Sequence, residues 1–253
     1  MKAARFGKIS EIEVSDESTW KGKVFLTFDI DWCEDFVLEP LLTWLNERMV
    51  KATFFVTHET PLLEQMRRDD RFELGIHPNF NRLLEGNELR EEGYREIVAR
   101  CLDIVPEAVS VRSHSLTSSS RILSACFESG LRFDCNQFTP WWARIDLRPY
   151  RSWCSPMIHV PHFWEDDLNM SYGAGWEVSQ MFGVNGLRVF DFHPIHVFLN
   201  TEVLDRYENS RDDHRNQRRL VKHRNRGPTG TAEFLGALCD PQHMPLDVKV
   251  GCK

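Results

Sequence analysis

Long apolar runs are missing from this chain of 253 residues. The strongest, residues 24–28 and 52–56, are far shorter than the ~20 residues that cross a bilayer. Residues 1–16, MKAARFGKISEIEVSD, have no apolar centre of the secretory-signal kind, so a cytoplasmic protein is expected. No two of the seven cysteines, Cys33, Cys101, Cys126, Cys135, Cys154, Cys239 and Cys252, are spaced C-x-x-C. That argues against a thiolate zinc site and for reduced, packed thiols. Low-complexity tracts are absent. There is no basic excess either: 31 Lys and Arg stand against 38 Asp and Glu, a formal charge of −7, which argues against a general nucleic-acid binder.

What is present is ordinary globular usage, with hydrophobic residues at 42% and charged residues at 27%, together with eight Trp and ten His. Apolar, β-branched runs predict strands over 23–31, 51–57, 72–76, 108–112, 131–135, 157–163 and 187–192. Helical spacing predicts helices over 36–49, 61–68, 88–105, 117–130 and 231–238. Strands alternating with helices imply βαβ units and a mostly parallel sheet, and this number of strands suits a barrel better than an open sheet. Residues 1–22 read as an N-terminal arm and 23–253 as one (β/α) barrel domain. The charge-dense stretch 205–226 reads as a solvated helix or loop, or else as a basic patch for a phosphate-bearing ligand or a partner chain.

Polar residues gather at the strand ends. Asp29 and Asp31 end the first strand, His77 the third, Arg112 and His114 the fourth, and His193 the last. Asp134 lies on the fifth. In parallel barrels the C-terminal strand ends form one face, where active sites sit. Asp29 and Asp31 are two apart, so both leave one face of the strand. Neighbouring buried carboxylates repel unless a cation or a shared proton relieves them. A divalent cation with imidazole and carboxylate ligands is the natural relief, and zinc suits that set.

These blocks resemble the NodB-homology polysaccharide deacetylases, metal-dependent carbohydrate esterases, over residues 23–240. Leu26-Thr27-Phe28-Asp29-Ile30-Asp31 resembles the TFDDG motif in its D-x-D variant. Ala52-Thr53-Phe54-Phe55 is similar to the second strand, ATFF. Leu74-Gly75-Ile76-His77 resembles the block carrying the metal histidines, Val111-Arg112 the arginine motif, and Phe192-His193-Pro194 the final H-P. The resemblance implies a distorted, incomplete (β/α) barrel and hydrolysis of an acetamido group on a sugar. It implies Asp29 as catalytic base, Asp31 and His77 as metal ligands, Arg112 holding Asp29, and His193 as general acid. Asp134 lies near the acid that tunes that histidine.

Two motifs depart from the family. His77-Pro78-Asn79-Phe80-Asn81 has Asn81 where a second histidine is usual, and Arg112-Ser113-His114-Ser115 replaces a proline-rich segment. Either Asn81 or His114 completes the metal site, or the site is degraded. The second possibility leaves open a deacetylase-like protein that binds a glycan without turnover. A hydrolase of another C–N bond is a third reading. His196 follows His193 by three residues, and both imidazoles share one focus if that segment turns. His159 and His162 read as structural or substrate-lining, and His58 as lining the mouth. Trp141, Trp142, Trp153, Trp164 and Trp176 cluster in the sequence. Trp141, Trp142, Trp164 and His196 are the candidate substrate contacts, with core packing as the alternative for the rings.

Overall fold

The computed structural model describes residues 5–84, 93–153, 155–182 and 185–240. Its strands are β1 (Phe6–Gly7), β2 (Val24–Asp29), β3 (Ala52–Val56), β4 (Phe72–Ile76), β5 (Ser110–Val111), β6 (Phe133–Asp134), β7 (Tyr150–Ser152), β8 (Ser155–His159), β9 (Trp164–Glu165) and β10 (Val189–Phe192). The path through the sheet is β7-β8-β6-β5-β4-β3-β2-β10-β9, with β1 beside the start of β2. Every pairing is parallel except that of β7 with β8. The sheet curls into a half-barrel without a ladder joining β7 to β9 among the described residues, the incomplete α/β barrel expected.

Burial explains the strand sequences. β2 and β3 are buried at every position, as parallel strands covered on both faces should be, and so read as continuous apolar runs. Phe28 stacks between Phe54 and Phe192 at 5.1 and 5.6 Å. At Gly75, in β4, a Cβ would lie 2.5 Å from Ser110 Oγ and 2.8 Å from Phe55. Glycine there lets β4 and its neighbours close up just before His77.

The helices are α1 (Asp35–Glu47), α2 (Leu62–Arg67), α3 (Asn81–Leu84), α4 (Tyr94–Ile104), α5 (Ser120–Glu128), α6 (Asp166–Ser171), α7 (Val178–Phe182), α8 (Pro194–Leu199), α9 (Leu204–Ser210), α10 (Gln217–Leu220) and α11 (Thr231–Cys239). Val37 of α1, Ile195 and Leu199 of α8 and Leu220 of α10 form a small apolar cluster of their own. None of the described helices is long and apolar enough to cross a membrane. Leu89, placed on the helix over 88–105, lies outside the described residues. Cys33, Cys126, Cys135 and Cys239 are free thiols. In the segment read as an arm, Ile9, Ile12 and Trp20 are buried in the main core.

Candidate active site

The strand order explains how distant residues converge. β10, β2, β3, β4 and β5 are neighbours, and each ends at the same edge. Asp29 closes β2, His77 follows β4, Arg112 follows β5 and His193 follows β10. Backbone bonds pin the joins: His77 N donates to Val56 O at 2.9 Å, and His114 N to Pro78 O at 3.0 Å. Left-handed backbone appears at Asp31 and Trp32 (φ 36° and 53°) and at Ser115 and Leu116 (φ 56° and 52°). Such strain in non-glycine residues persists where the surroundings enforce it, commonly at functional sites. Here it flanks the two loops that bring Asp31 and His114 together.

Asp31, His77 and His114 each aim a ligand atom at one point, with these atoms all within 4.8 Å of one another. Asp31 Oδ1 lies 3.1 Å from His77 Nε2 and 3.2 Å from His114 Nδ1. The side chain of His77 is buried, yet neither ring nitrogen makes a well-formed hydrogen bond. An imidazole left this way is costly unless something else takes its lone pair. Two imidazoles and a carboxylate around such an orphan fit a divalent cation, and the set suits zinc. Burial alone would raise the Asp31 carboxyl, but the hydrogen bond from His114 and the nearby imidazole of His77 hold it well below the usual range. The bond to Asp31 in turn raises the pKa of His114. The amide of Asn81 donates to Ser115 Oγ at 3.4 Å instead.

Beneath this cluster lies a buried guanidinium. Arg112 is fully enclosed. Its Nη1 donates to Thr27 Oγ1 at 2.8 Å and Asp29 Oδ1 at 3.1 Å, and it pairs with Asp191 Oδ1. Its Nε donates to Cys135 O at 3.2 Å. Burial opposes the cation, but Asp191 and Asp29 more than restore it, so Arg112 stays charged. With Oδ1 of Asp29 held, Oδ2 faces His77 Nδ1 at 3.6 Å.

His193 caps α8, with Pro194 at the first helical position. Its Nδ1 lies 2.7 Å from Asp166 Oδ1, and its backbone N donates to Asp166 Oδ2 at 2.8 Å. Nε2 is left on the cleft side, 3.6 Å from Asp31 Oδ2. Burial by itself would lower the imidazole pKa. The charge and hydrogen bond of Asp166, with Asp167 and Asp31 behind them, carry it well above the ordinary value. This is the setting of a proton donor.

The cleft above is a cavity of about 710 Å³, whose lining includes Asp31, Trp32, His114, His193, His196 and Tyr207. The charge-dense stretch supplies one wall. In that wall Arg211 lies 3.0 Å from Glu208, and Arg215 lies 3.9 Å from Glu34.

Several expected contacts fall elsewhere. Asp134 does not reach His193. It ends β6, several strands away along the sheet, and bonds His159 Nδ1 at 2.7 Å. Asp166, which the sequence reading passed over, takes the place expected for it. Trp164 is buried core, stacked on Phe234 at 4.2 Å, so it cannot line a cleft. Trp141 packs against the core. Trp142 does face outward, but it pairs with Tyr172 at 5.4 Å and is not in the cavity wall. His196 lines the cavity and bonds Thr201 Oγ1 at 3.2 Å. His162 is buried against Glu165 at 2.9 Å. The tryptophan in the cleft is Trp32, 47% exposed. Its only signal in the sequence is its place directly after Asp31.

Comparison with known proteins gives the following. Residues 26–211 match the family described as WbmS-like polysaccharide deacetylase. A solved structure from Bordetella bronchiseptica, described as a proposed polysaccharide deacetylase involved in O-antigen biosynthesis, shares 46% identity with the chain. The match covers 93% of this chain and 97% of that one, with a TM-score of 0.89. A 4-alpha-glucanotransferase from Thermococcus litoralis shares 11% identity over 68% of this chain and 32% of that one, with a TM-score of 0.40. No curated protein matches.

Proposed function

The chain belongs to the polysaccharide deacetylase family, in its WbmS-like group, and from that premise we propose that it removes the acetyl group from an acetamido sugar by metal-assisted hydrolysis. The observation that carries the reading is the convergence of Asp31, His77 and His114 around the unbonded, buried nitrogens of His77. The substrate class we assign is a saccharide or glycan precursor of the kind built into O-antigen, following the 46%-identical relative.

A divalent ion held by Asp31, His77 and His114 supplies Lewis-acid polarisation and lowers the pKa of water. The chain's own groups do the rest. Asp29 takes a proton at Oδ2 as water attacks the amide carbonyl. Arg112 holds that carboxylate through Oδ1 and so fixes which oxygen is presented. His193 then delivers its Nε2 proton to the departing amine nitrogen, a step an amide requires because a free amide anion is too poor a leaving group. Asp166 fixes which nitrogen holds that proton, since Nδ1 is engaged. General acid and base steps contribute typically about 10²–10⁴-fold each.

Elemental analysis of the purified chain, joined to an acetate-release assay on N-acetylhexosamine glycosides, tests the reading. A stoichiometric divalent ion and metal-dependent acetate release are expected. A metal-free protein that binds the glycan and releases no acetate would sink it.

A further inference from the structure

Away from that cluster, we propose that Ser152 is a second nucleophilic centre, activated by His159 and Asp134 for attack on a small carboxylic ester. Ser152 Oγ lies 2.8 Å from His159 Nε2, and His159 Nδ1 lies 2.7 Å from Asp134 Oδ2. The other oxygen of Asp134 accepts from Asn136 N at 3.2 Å and Asn136 Nδ2 at 2.5 Å. The aspartate is thus fixed from both sides. The ring of Tyr150 stacks on the imidazole at 4.9 Å and 20°, and its hydroxyl donates to Gln137 Oε1. None of these residues belongs to the Asp31, His77, His114 cluster.

Order and exposure distinguish this chain of bonds from simple polar satisfaction. The carboxylate engages Nδ1, which leaves Nε2 as the acceptor facing the serine O–H. Asp134 and His159 are buried, while Ser152 is half-buried beside Trp153, which is 98% exposed. The serine is therefore the most accessible of the three side chains. A register shift between Arg151 and Ser152 re-aims the serine out of the regular ladder, as bulges do next to sites. Nucleophile, base and orienting acid are recognised by such geometry and not by their sequence order.

Written out, Ser152 Oγ bonds to the ester carbonyl carbon and its proton passes to His159 Nε2. The ester C–O bond breaks, and the alkoxide leaves with that proton as an alcohol. Water then attacks acyl-Ser152, again through His159, and releases the carboxylic acid with the serine restored.

Diisopropyl fluorophosphate is the probe, with intact-mass and peptide mapping of the whole chain. A single adduct on Ser152 is expected, formed at the same rate after chelation and absent from Ser152→Ala. His159→Gln should slow labelling by about 100-fold or more, the lower range of what a general base supplies. Asp134→Asn, which keeps the buried shape, should slow it too. An unlabelled Ser152 in the wild type, or equal rates in wild type and both variants, would overturn the proposal.

Discussion

Asp166 grips His193 twice, with Oδ1 2.7 Å from Nδ1 and Oδ2 2.8 Å from the backbone nitrogen. The first contact sets the imidazole's proton and the second sets the position of its backbone. The two together tie α6 to the start of α8, so the imidazole does not depend on a loop for its aim.

Asp166→Asn should therefore damage turnover more than binding. An amide can occupy the same space but cannot supply the charge that raises the His193 pKa. A raised pKa keeps the proton on His193 as pH climbs past the ordinary histidine range. Without that charge, the proton is lost at lower pH. The alkaline limb of kcat/KM should move to lower pH, and kcat should fall by about 10²–10⁴-fold. Acetate release measured across pH checks both.

Metal affinity should separate the two candidates for the third ligand. His114→Ala should lose more than the ~10–100-fold that an outer partner costs. Asn81→Ala should change little, because its amide is turned to Ser115. Competition with a chromophoric chelator reads both. Thermal melting gives an independent check, since an ion bound only by the folded state adds about 2.7 kcal/mol at 100 times its Kd.

The extent to which this was legible in the sequence follows element length. β2, β3, β4, β8 and β10 announce themselves as apolar runs of four to six residues, and the polar residues at their ends point to one face. β1, β7 and β9 have only two or three residues, too few to show a period. β9 is the costly omission, because it delivers Asp166. Within Glu165-Asp166-Asp167 no pattern says which acid turns to His193. Trp164 misled for a related reason: aromatic composition does not separate a stacked core ring from one in a cleft.

Removing the shared cation should cost more stability than removing a whole charged set. Arg112 faces Asp29 and Asp191 and is fully buried with them. Arg112→Met leaves buried carboxylates uncompensated and should destabilise by about 3–5 kcal/mol. Adding Asp191→Asn removes one of them and should recover part of the loss. Urea unfolding of the single and double variants gives the coupling directly.

His162 and Glu165 should give stability a plateau in pH. They lie 2.9 Å apart, and the fold favours the neutral form of each. Burial, then the nearby Arg112, lowers His162 well below its ordinary 6.5. Burial, then Asp167 and Asp191, raises Glu165 well above its ordinary 4.5. Between pH 4.5 and 6.5 the unfolded pair is Glu⁻ and His⁺ and the folded pair is neutral, so both hold one proton and their contribution is flat. Above pH 6.5, for as long as the folded Glu165 keeps its proton, the folded pair holds one proton more than the unfolded pair, and stability falls by about 1.4 kcal/mol per pH unit. Below pH 4.5, for as long as the folded His162 stays neutral, the folded pair holds one fewer, and stability falls at the same slope as pH drops. Glu165→Gln removes the alkaline loss and leaves His162 alone, so the acid loss should begin at pH 6.5 in place of 4.5. Urea midpoints of wild type and Glu165→Gln between pH 4 and 8 measure both limbs. An acid limb that starts at the same pH in both proteins would mean that His162 is already charged in the fold.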